Sequence, residues 1–439
     1  MIKRVISQLL KNYLIILVIF SIGAGFGYSQ SNNSGDLNKT TVQTEKNTPY
    51  VGLSPKKAFL EESYNKIKNN YWDNISDIQL IELFKLAAEK SGSKLLSSKI
   101  ENKEQLISEL LSAQKDLSQD QKSKFIPLVL STVLGSLNPA GRSGLFTTKQ
   151  EVQLKNTVEN INPEKDLYKD LGVNKGASET AVIDAFQKQE VQLRGQNTPE
   201  AKEKLKQLTY AKDVLTNIDR KQNYDQKGIE PTIFTRVVEP GILYLQFKKF
   251  SPTSYDEFIK AFDAYKNNST LYGLIFDLRG NVGGAIDATA YFLGLFIGKN
   301  QYAFDFYHKG EYQPFKTPTD KLPSIAKFKQ IVILVDNQTQ SSAEMMAAGL
   351  KKYRVGVVLG VPTRGWGTVE RVFPLENQIS DTEKYSIFLV HSITLRDDNL
   401  PIEGRGVEPN VNIKQPDWAQ QLFTYIRNPE LILAVKTIL

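Results

Sequence analysis

The chain reads as an α/β protein with helical additions, on three observations. Between residues 241 and 395, β-rich apolar runs (GILYLQF, YGLIFDL, QIVILVD, VGVVLG and YSIFLVHSITL) alternate with segments of helical apolar spacing (YDEFIKAFDAYK, AIDATAYFLGLF and AEMMAAGLKKY). Such alternation predicts strands interleaved with helices in one layered core. The residues upstream instead show apolar side chains three and four apart, as in SDIQLIELFKLAAEK, which predicts helices. A chain of 439 residues with 41% hydrophobic residues can bury more than one core.

The elements follow in order. In residues 1–28, Lys3, Arg4 and Lys11 precede the apolar run YLIILVIFSIGAGF, the layout of an export signal or a membrane anchor. Fourteen helical residues reach about 21 Å, short of a hydrocarbon core of ~30 Å, and no A-x-A cleavage site is evident, so both readings stand. Either places the body outside the cytoplasm. Residues 29–54 form a polar linker. Residues 55–160 are expected to be helical, with a Pro/Gly turn at NPAGRSG. Residues 164–229 are charged and helix-forming, residues 232–417 carry the α/β core, and residues 418–439 end the chain in a helical segment.

Composition removes several function classes. With no cysteine there is no disulfide, thiolate nucleophile or cysteine metal site, and two histidines leave little for a histidine metal centre. No metal and no cofactor is therefore expected. The net charge of +7 is spread along the chain without a basic, aromatic-interleaved stripe, which argues against nucleic-acid binding.

The chemistry concentrates in IVILVDNQTQSSAEMMAAGLKKYRVGVVLGVPTRGWGTVE, from Ile331 to Glu370. An apolar strand ends in a polar turn and passes through Ser341 and Ser342 into a helix. A serine there faces the free amides of a helix N-terminus, where developing negative charge is stabilised. A second block, GLIFDLRGNVGGAIDATAYFLGLFI from Gly273, gives a strand, a glycine-rich turn and a helix.

These blocks resemble the carboxyl-terminal processing peptidases, or tail-specific proteases. Their S-A-S-E and G-x-P-T-x-G-K-G-x-V-Q patterns appear here as Ser341-Ser342-Ala343-Glu344 and GVPTRGWGTVE. Their LILDLRNNPGG block appears as LIFDLRGNVGG. LNPAGRSGL, GRGVEPNVNI and RNPELILAVKTIL resemble the family's LDPHSRYL, G-x-G-I-x-P-D and C-terminal helix. The resemblance implies a crotonase-like core of repeated ββα units and a serine endopeptidase acting on polypeptides. It makes Ser341 the nucleophile, with the Gly283 amide (Gly284 the alternative) and the Ser342 amide as oxyanion donors. The family's base lysine falls on Trp366, whose indole takes no proton at neutral pH.

DLYKDLGVNKGASETAVIDAF and YAKDVLTNIDRKQNYDQKG resemble the outer helices of a J domain, which stimulates Hsp70-type ATPases. Arg194, Gly195 and Gln196 stand where its His-Pro-Asp loop belongs, so Hsp70 is not an expected partner. This module occupies the family's PDZ position, either as a replaced docking module or as a helical spacer.

No other side chain is an obvious base. Lys351 and Lys352 lie about 15–16 Å along the helix from Ser341, and Arg364 stays protonated. His391 reads as a core residue and His308 as a surface loop residue. Glu370, in the place of the glutamine that orients the family lysine, could act only if burial raised its pKa. Ser341 could also be a plain helix N-cap. Two functions follow: a serine endopeptidase with an altered base, or a catalytically inactive pseudoprotease that binds peptides or acts as an adaptor. Expected partners are polypeptide substrates or peptide ligands, and a membrane through the N-terminal segment.

Overall fold

A computed structural model describes residues 54–439, apart from 94, 95, 97 and 98. The expected anchor and nearly all of the polar linker lie outside the described residues. Among those described, no helix is long and apolar enough to cross a membrane. The chain divides into two compact units: Lys149–Glu370 with Val390–Leu439, and the residues up to Thr148 with Arg371–Leu389.

Among the described residues the second unit carries the α-helices α1 (Pro55–Asn70), α2 (Asp77–Lys90), α3 (Lys103–Ala113) and α4 (Gln119–Ser136), followed by strand β1 (Gly144–Thr147). Helix starts are sharply marked. Pro55 opens α1 behind the Ser54 cap, and Ser76 with Gln79 and Ser118 with Gln121 form reciprocal capping boxes. The apolar stripes converge on Phe59, Phe84, Phe125 and Leu130, all buried. β1, inside the region expected to be helical, pairs antiparallel with the start of β10 (Tyr385–Leu395), Gly144 opposite Phe388. Its short β-rich GLFT run, too brief for a periodicity argument, is stabilised by this partner and by stacking of Phe146 on Phe388 at 4.6 Å.

In the first unit, α5 (Thr148–Glu159) leads into a helical bundle of α6 (Leu167–Leu171), α7 (Glu179–Arg194), α8 (Pro199–Leu215) and α9 (Ile218–Lys227). α7 and α8 pack around Val182, Phe186, Leu208, Ala211 and Val214. Residues of α9 tie back to α6: the Leu167 amide donates to the Tyr224 hydroxyl (3.0 Å) and the Tyr168 hydroxyl to Asp225 (2.7 Å).

The core contains β2 (Ile233–Val238), β3 (Ile242–Phe247), α10 (Ser254–Asp263), β4 (Gly273–Asp277), α11 (Thr289–Ile297), β5 (Tyr302–His308), β6 (Glu311–Lys316), α12 (Pro323–Ala326), β7 (Gln330–Val335), α13 (Ser342–Lys352), β8 (Val357–Gly360), β9 (Thr368–Pro374), β10 and β11 (Val411–Asn412). β2–β3–α10 and β5–β6–α12 are ββα units. The main sheet has the order β11-β8-β7-β4-β3-β2, parallel except at its β2 edge. Both faces are covered, which is why its strands read as continuous apolar runs. Leu245, Phe247, Phe276 and Ile333 face α10, α11 and α13, whereas Ile242, Ile275, Val332 and Leu334 face α14 (Trp418–Ile426) and α15 (Pro429–Ile438).

Two expectations are corrected. FYHKGEY is a two-residue hairpin between β5 and β6, turning at Lys309 (φ 50°) and Gly310 (φ 93°), and not a surface loop. His308 accordingly stacks on His391, with ring centroids 4.3 Å apart. His391 itself is half-buried rather than a core residue, its Nδ1 2.8 Å from the Ser392 hydroxyl.

Phe258 is the hub of the aromatic layer, touching the rings of Phe247, Phe262, Phe276, Phe292 and Phe296. Phe258→Ala is expected to lower stability by about 3–5 kcal/mol. Denaturant unfolding of the variant checks this, and a loss under 1 kcal/mol contradicts it.

Candidate active site

The site forms where the parallel strands β3, β4 and β7 end, the position from which α/β sheets generally present functional loops. After β7 the chain turns on Asp336, whose carboxylate accepts the amides of Gln338 (3.0 Å), Thr339 (2.9 Å) and Gly280 (3.0 Å). The Thr339 hydroxyl donates to the Leu278 carbonyl (3.0 Å) and the Gln340 amide to the Asn281 carbonyl (2.9 Å). The loops after β4 and β7 are thus laced together before the serine is reached.

Ser341 is buried at the N-cap of α13 with φ 51° and ψ −119°, a conformation that a residue with a Cβ adopts only under constraint. Glu344 supplies that constraint. Its buried carboxylate accepts four hydrogen bonds: from the Ser341 amide (2.8 Å), the Thr363 hydroxyl (2.5 Å), the Gly365 amide (2.7 Å) and the Trp366 amide (2.8 Å). Burial pushes the Glu344 pKa up, and these four donors pull against it. One carboxylate therefore clamps the serine turn to the GVPTRGWG loop. Its S-x-x-E spacing is the capping-box signature, a signal of this role that the sequence reading did not use.

Trp366 is 9% exposed, and its indole N–H donates to Glu370 Oε1 (3.3 Å), which also accepts from the Thr368 hydroxyl (2.5 Å). The Arg364 guanidinium lies 5.9 Å from the Trp366 ring. Among the described residues no lysine is a hydrogen-bond partner of the Ser341 hydroxyl. Lys351 instead donates to the Glu408 carbonyl (2.6 Å), and Lys352 pairs with Asp397 (3.5 Å). The carboxylate of Glu370 belongs to the tryptophan, with no hydrogen bond joining it to Ser341.

On the glycine turn, the expected donor needs correcting. The Gly283 amide is hydrogen-bonded inside its own turn to Asn281 Oδ1 (2.8 Å), because Asn281, fully buried, is itself anchored to the Phe247 carbonyl (2.7 Å). The neighbouring Gly284 amide and the Ser342 amide have no acceptor among the described residues. The Ser342 hydroxyl donates to the Gly284 carbonyl (3.2 Å), which brings these two segments into contact. Gly284 has φ 140°, and a Cβ there would stand 2.0 Å from the Phe250 carbonyl oxygen, so only glycine fits. The DLR triplet upstream is a brace: Arg279 grips buried Asp277, which also accepts the Tyr244 hydroxyl (2.8 Å).

A buried serine at a strained strand-to-helix turn, beside two unpaired amides and a glycine turn, defines a serine-peptidase class of site. Residues 241–413 match peptidase family S41, and residues 166–225 match the DnaJ domain. The carboxy-terminal processing protease CtpA of Bacillus subtilis is 24% identical over 417 residues, covering 94% of this chain and 78% of that protein. CtpB of the same organism is 27% identical over 177 residues, 40% of this chain and 34% of that protein. Among solved structures, the photosystem II D1 C-terminal processing protease aligns over 82% of this chain and 93% of its own, with 14% identity and a TM-score of 0.48. The chain is thus similar to the carboxyl-terminal processing peptidases over most of its length, with a peptidase family S41 core and a J-like helical module ahead of it.

Three substitutions test the clamp and the strain it holds. Glu344→Gln turns an NH2 toward amides that need an acceptor and is expected to cost about 2–4 kcal/mol. Ser341→Gly relieves the backbone strain that Ser341→Ala retains, so the glycine variant is expected to be the more stable of the two by about 1 kcal/mol. Thermal unfolding of the three variants measures both, and equal stability of the Ser341 pair counts against strain at this turn.

Proposed function

We propose that this protein is a pseudoprotease, a polypeptide-binding member of its family that lacks Ser/Lys hydrolysis. The observation that carries the reading is Trp366. Its amide is bound to the same Glu344 carboxylate as the Ser341 amide, so the loop lies in register against the nucleophile turn, yet the side chain it presents is a donor-only indole held by Glu370. Removing a general base lowers the rate by about 10²–10⁴-fold while leaving the peptide cleft in place. The Ser342 and Gly284 amides support binding of a peptide carbonyl.

A second reading keeps Ser341 as a slow nucleophile. It is favoured by the retained strain at φ 51° and by the unpaired amides, both of which suit acyl transfer. Either activity takes place outside the cytoplasm if residues 1–28 act as a signal or anchor. The J-like bundle serves docking in the place of a PDZ domain, and without a His-Pro-Asp loop it leaves Hsp70 ATPases unstimulated.

Incubation of the purified protein with unfolded casein should give no hydrolysis above that of Ser341→Ala. Trp366→Lys, checked for folding by its melting temperature, should gain at least about 10²-fold in rate. Wild-type hydrolysis that Ser341→Ala abolishes would instead establish the peptidase reading.

A further inference from the structure

The loop clamped by Glu344 shows solvent a single side chain. From Thr363 to Glu370 every residue is buried except Arg364, which is exposed. Its main chain is fixed on both sides. The Arg364 amide donates to the Thr339 carbonyl (3.0 Å), while the Thr363 hydroxyl and the Gly365 amide both donate to Glu344 (2.5 and 2.7 Å). The Trp366 and Ser341 amides bind the same Glu344 oxygen, each at 2.8 Å, which keeps those two nitrogens within about 6 Å of each other. Arg364 is thus carried by the scaffold that holds the serine turn.

The charge it carries there is not balanced. Other cations of the core are matched: Arg279 by Asp277 (2.6 Å), Arg396 by Asp398 (2.7 Å) and Lys352 by Asp397 (3.5 Å). Among the described residues Arg364 has no carboxylate at ion-pair distance, and its guanidinium lies 5.9 Å from the Trp366 ring instead. An aromatic ring steadies a cation without neutralising it. The adjoining turn adds charge of the same sign. Arg405, also exposed, follows Gly404, whose amide donates to the Gly365 carbonyl (2.9 Å), whereas Glu403 of that turn accepts the Gly367 amide (2.8 Å).

A guanidinium forks onto a carboxylate through two parallel N–H···O bonds, so an unmatched arginine held in a fixed place selects for an acidic group. Two residues of chain from Trp366 to Arg364 span about 7 Å at most, and an extended ligand advances about 3.3 Å per residue. With a ligand carbonyl at the Ser342 and Gly284 amides, the arginine is matched to a ligand side chain about two or three positions away. We propose that Arg364 is a specificity-determining residue of the peptide site and selects an acidic side chain, Asp or Glu, within the bound polypeptide. This rests on the peptide-binding reading above, and it concerns an internal side chain of the ligand, not the end of its chain.

The test is made in the full Ser341→Ala protein, so that no hydrolysis intervenes, with short labelled peptides acetylated and amidated to carry no terminal charge. A single Glu is moved along an otherwise uncharged sequence, and each peptide is compared with its Gln counterpart by fluorescence anisotropy. At the preferred position the Glu peptide is expected to bind about tenfold more tightly. Arg364→Gln is expected to lose that preference and Arg364→Glu to prefer Lys at the same position, a reversal that a merely structural role would not produce. Lys436→Gln, which removes an equal charge from an exposed position on α15, is expected to keep it. If either Arg364 variant fails to fold, Arg364→Lys, which keeps the charge without the fork, is expected to show an intermediate preference. Equal binding of Glu and Gln peptides at every position, or a preference that the Arg364 substitutions leave intact, overturns the role of Arg364 and leaves peptide binding standing. Failure of every peptide to bind overturns the peptide-binding reading and the proposal with it.

Discussion

The arrangement around Ser341 depends on one buried carboxylate. Desolvating Glu344 would be prohibitive for an isolated ion, and it is offset only because three backbone amides and a hydroxyl converge on its two oxygens. The donors come from two separate stretches of chain. Loss of the carboxylate would leave both without acceptors, so the serine turn and the 363–366 loop keep their conformations together or not at all. The positive φ of Ser341 is held by this constraint.

That dependence explains how the site can keep its frame whatever side chain stands at position 366. Glu344 binds position 366 through its backbone amide, which every residue except proline supplies. The clamp is therefore indifferent to the side chain there. An indole at position 366 leaves the loop in register and offers Ser341 no proton acceptor. Glu370 Oε1 receives the indole N–H and shares that oxygen with the Thr368 hydroxyl. Neither side chain of this pair is hydrogen-bonded to Ser341.

The same logic extends to the exposed side chain of that loop. The clamp fixes the main chain on both sides of Arg364, yet leaves its guanidinium to the Trp366 ring and to solvent. A cation beside an aromatic ring is stable without a carboxylate partner, which leaves its charge available.

Much of this was legible in the chain. The five central strands and three covering helices announced themselves because a parallel sheet buried on both faces writes continuous apolar runs, and the serine and glycine turns sit at the ends of those runs. Tryptophan at position 366 was equally plain. The β5–β6 hairpin, the strand at Gly144 and the stacking of His308 on His391 were not, since short half-buried strands carry little periodicity and owe their form to partners distant in sequence. The sequence alone determined which residues stand at the strand ends and that position 366 carries a donor-only indole. Only the tertiary structure decided that Gly284, not Gly283, leaves its amide unpaired, that Glu344 is the clamp, and that Arg364 is the exposed side chain of a buried loop. Hydrogen-bond pairing and charge balance are settled by groups brought together in space, and no local pattern of residues records them.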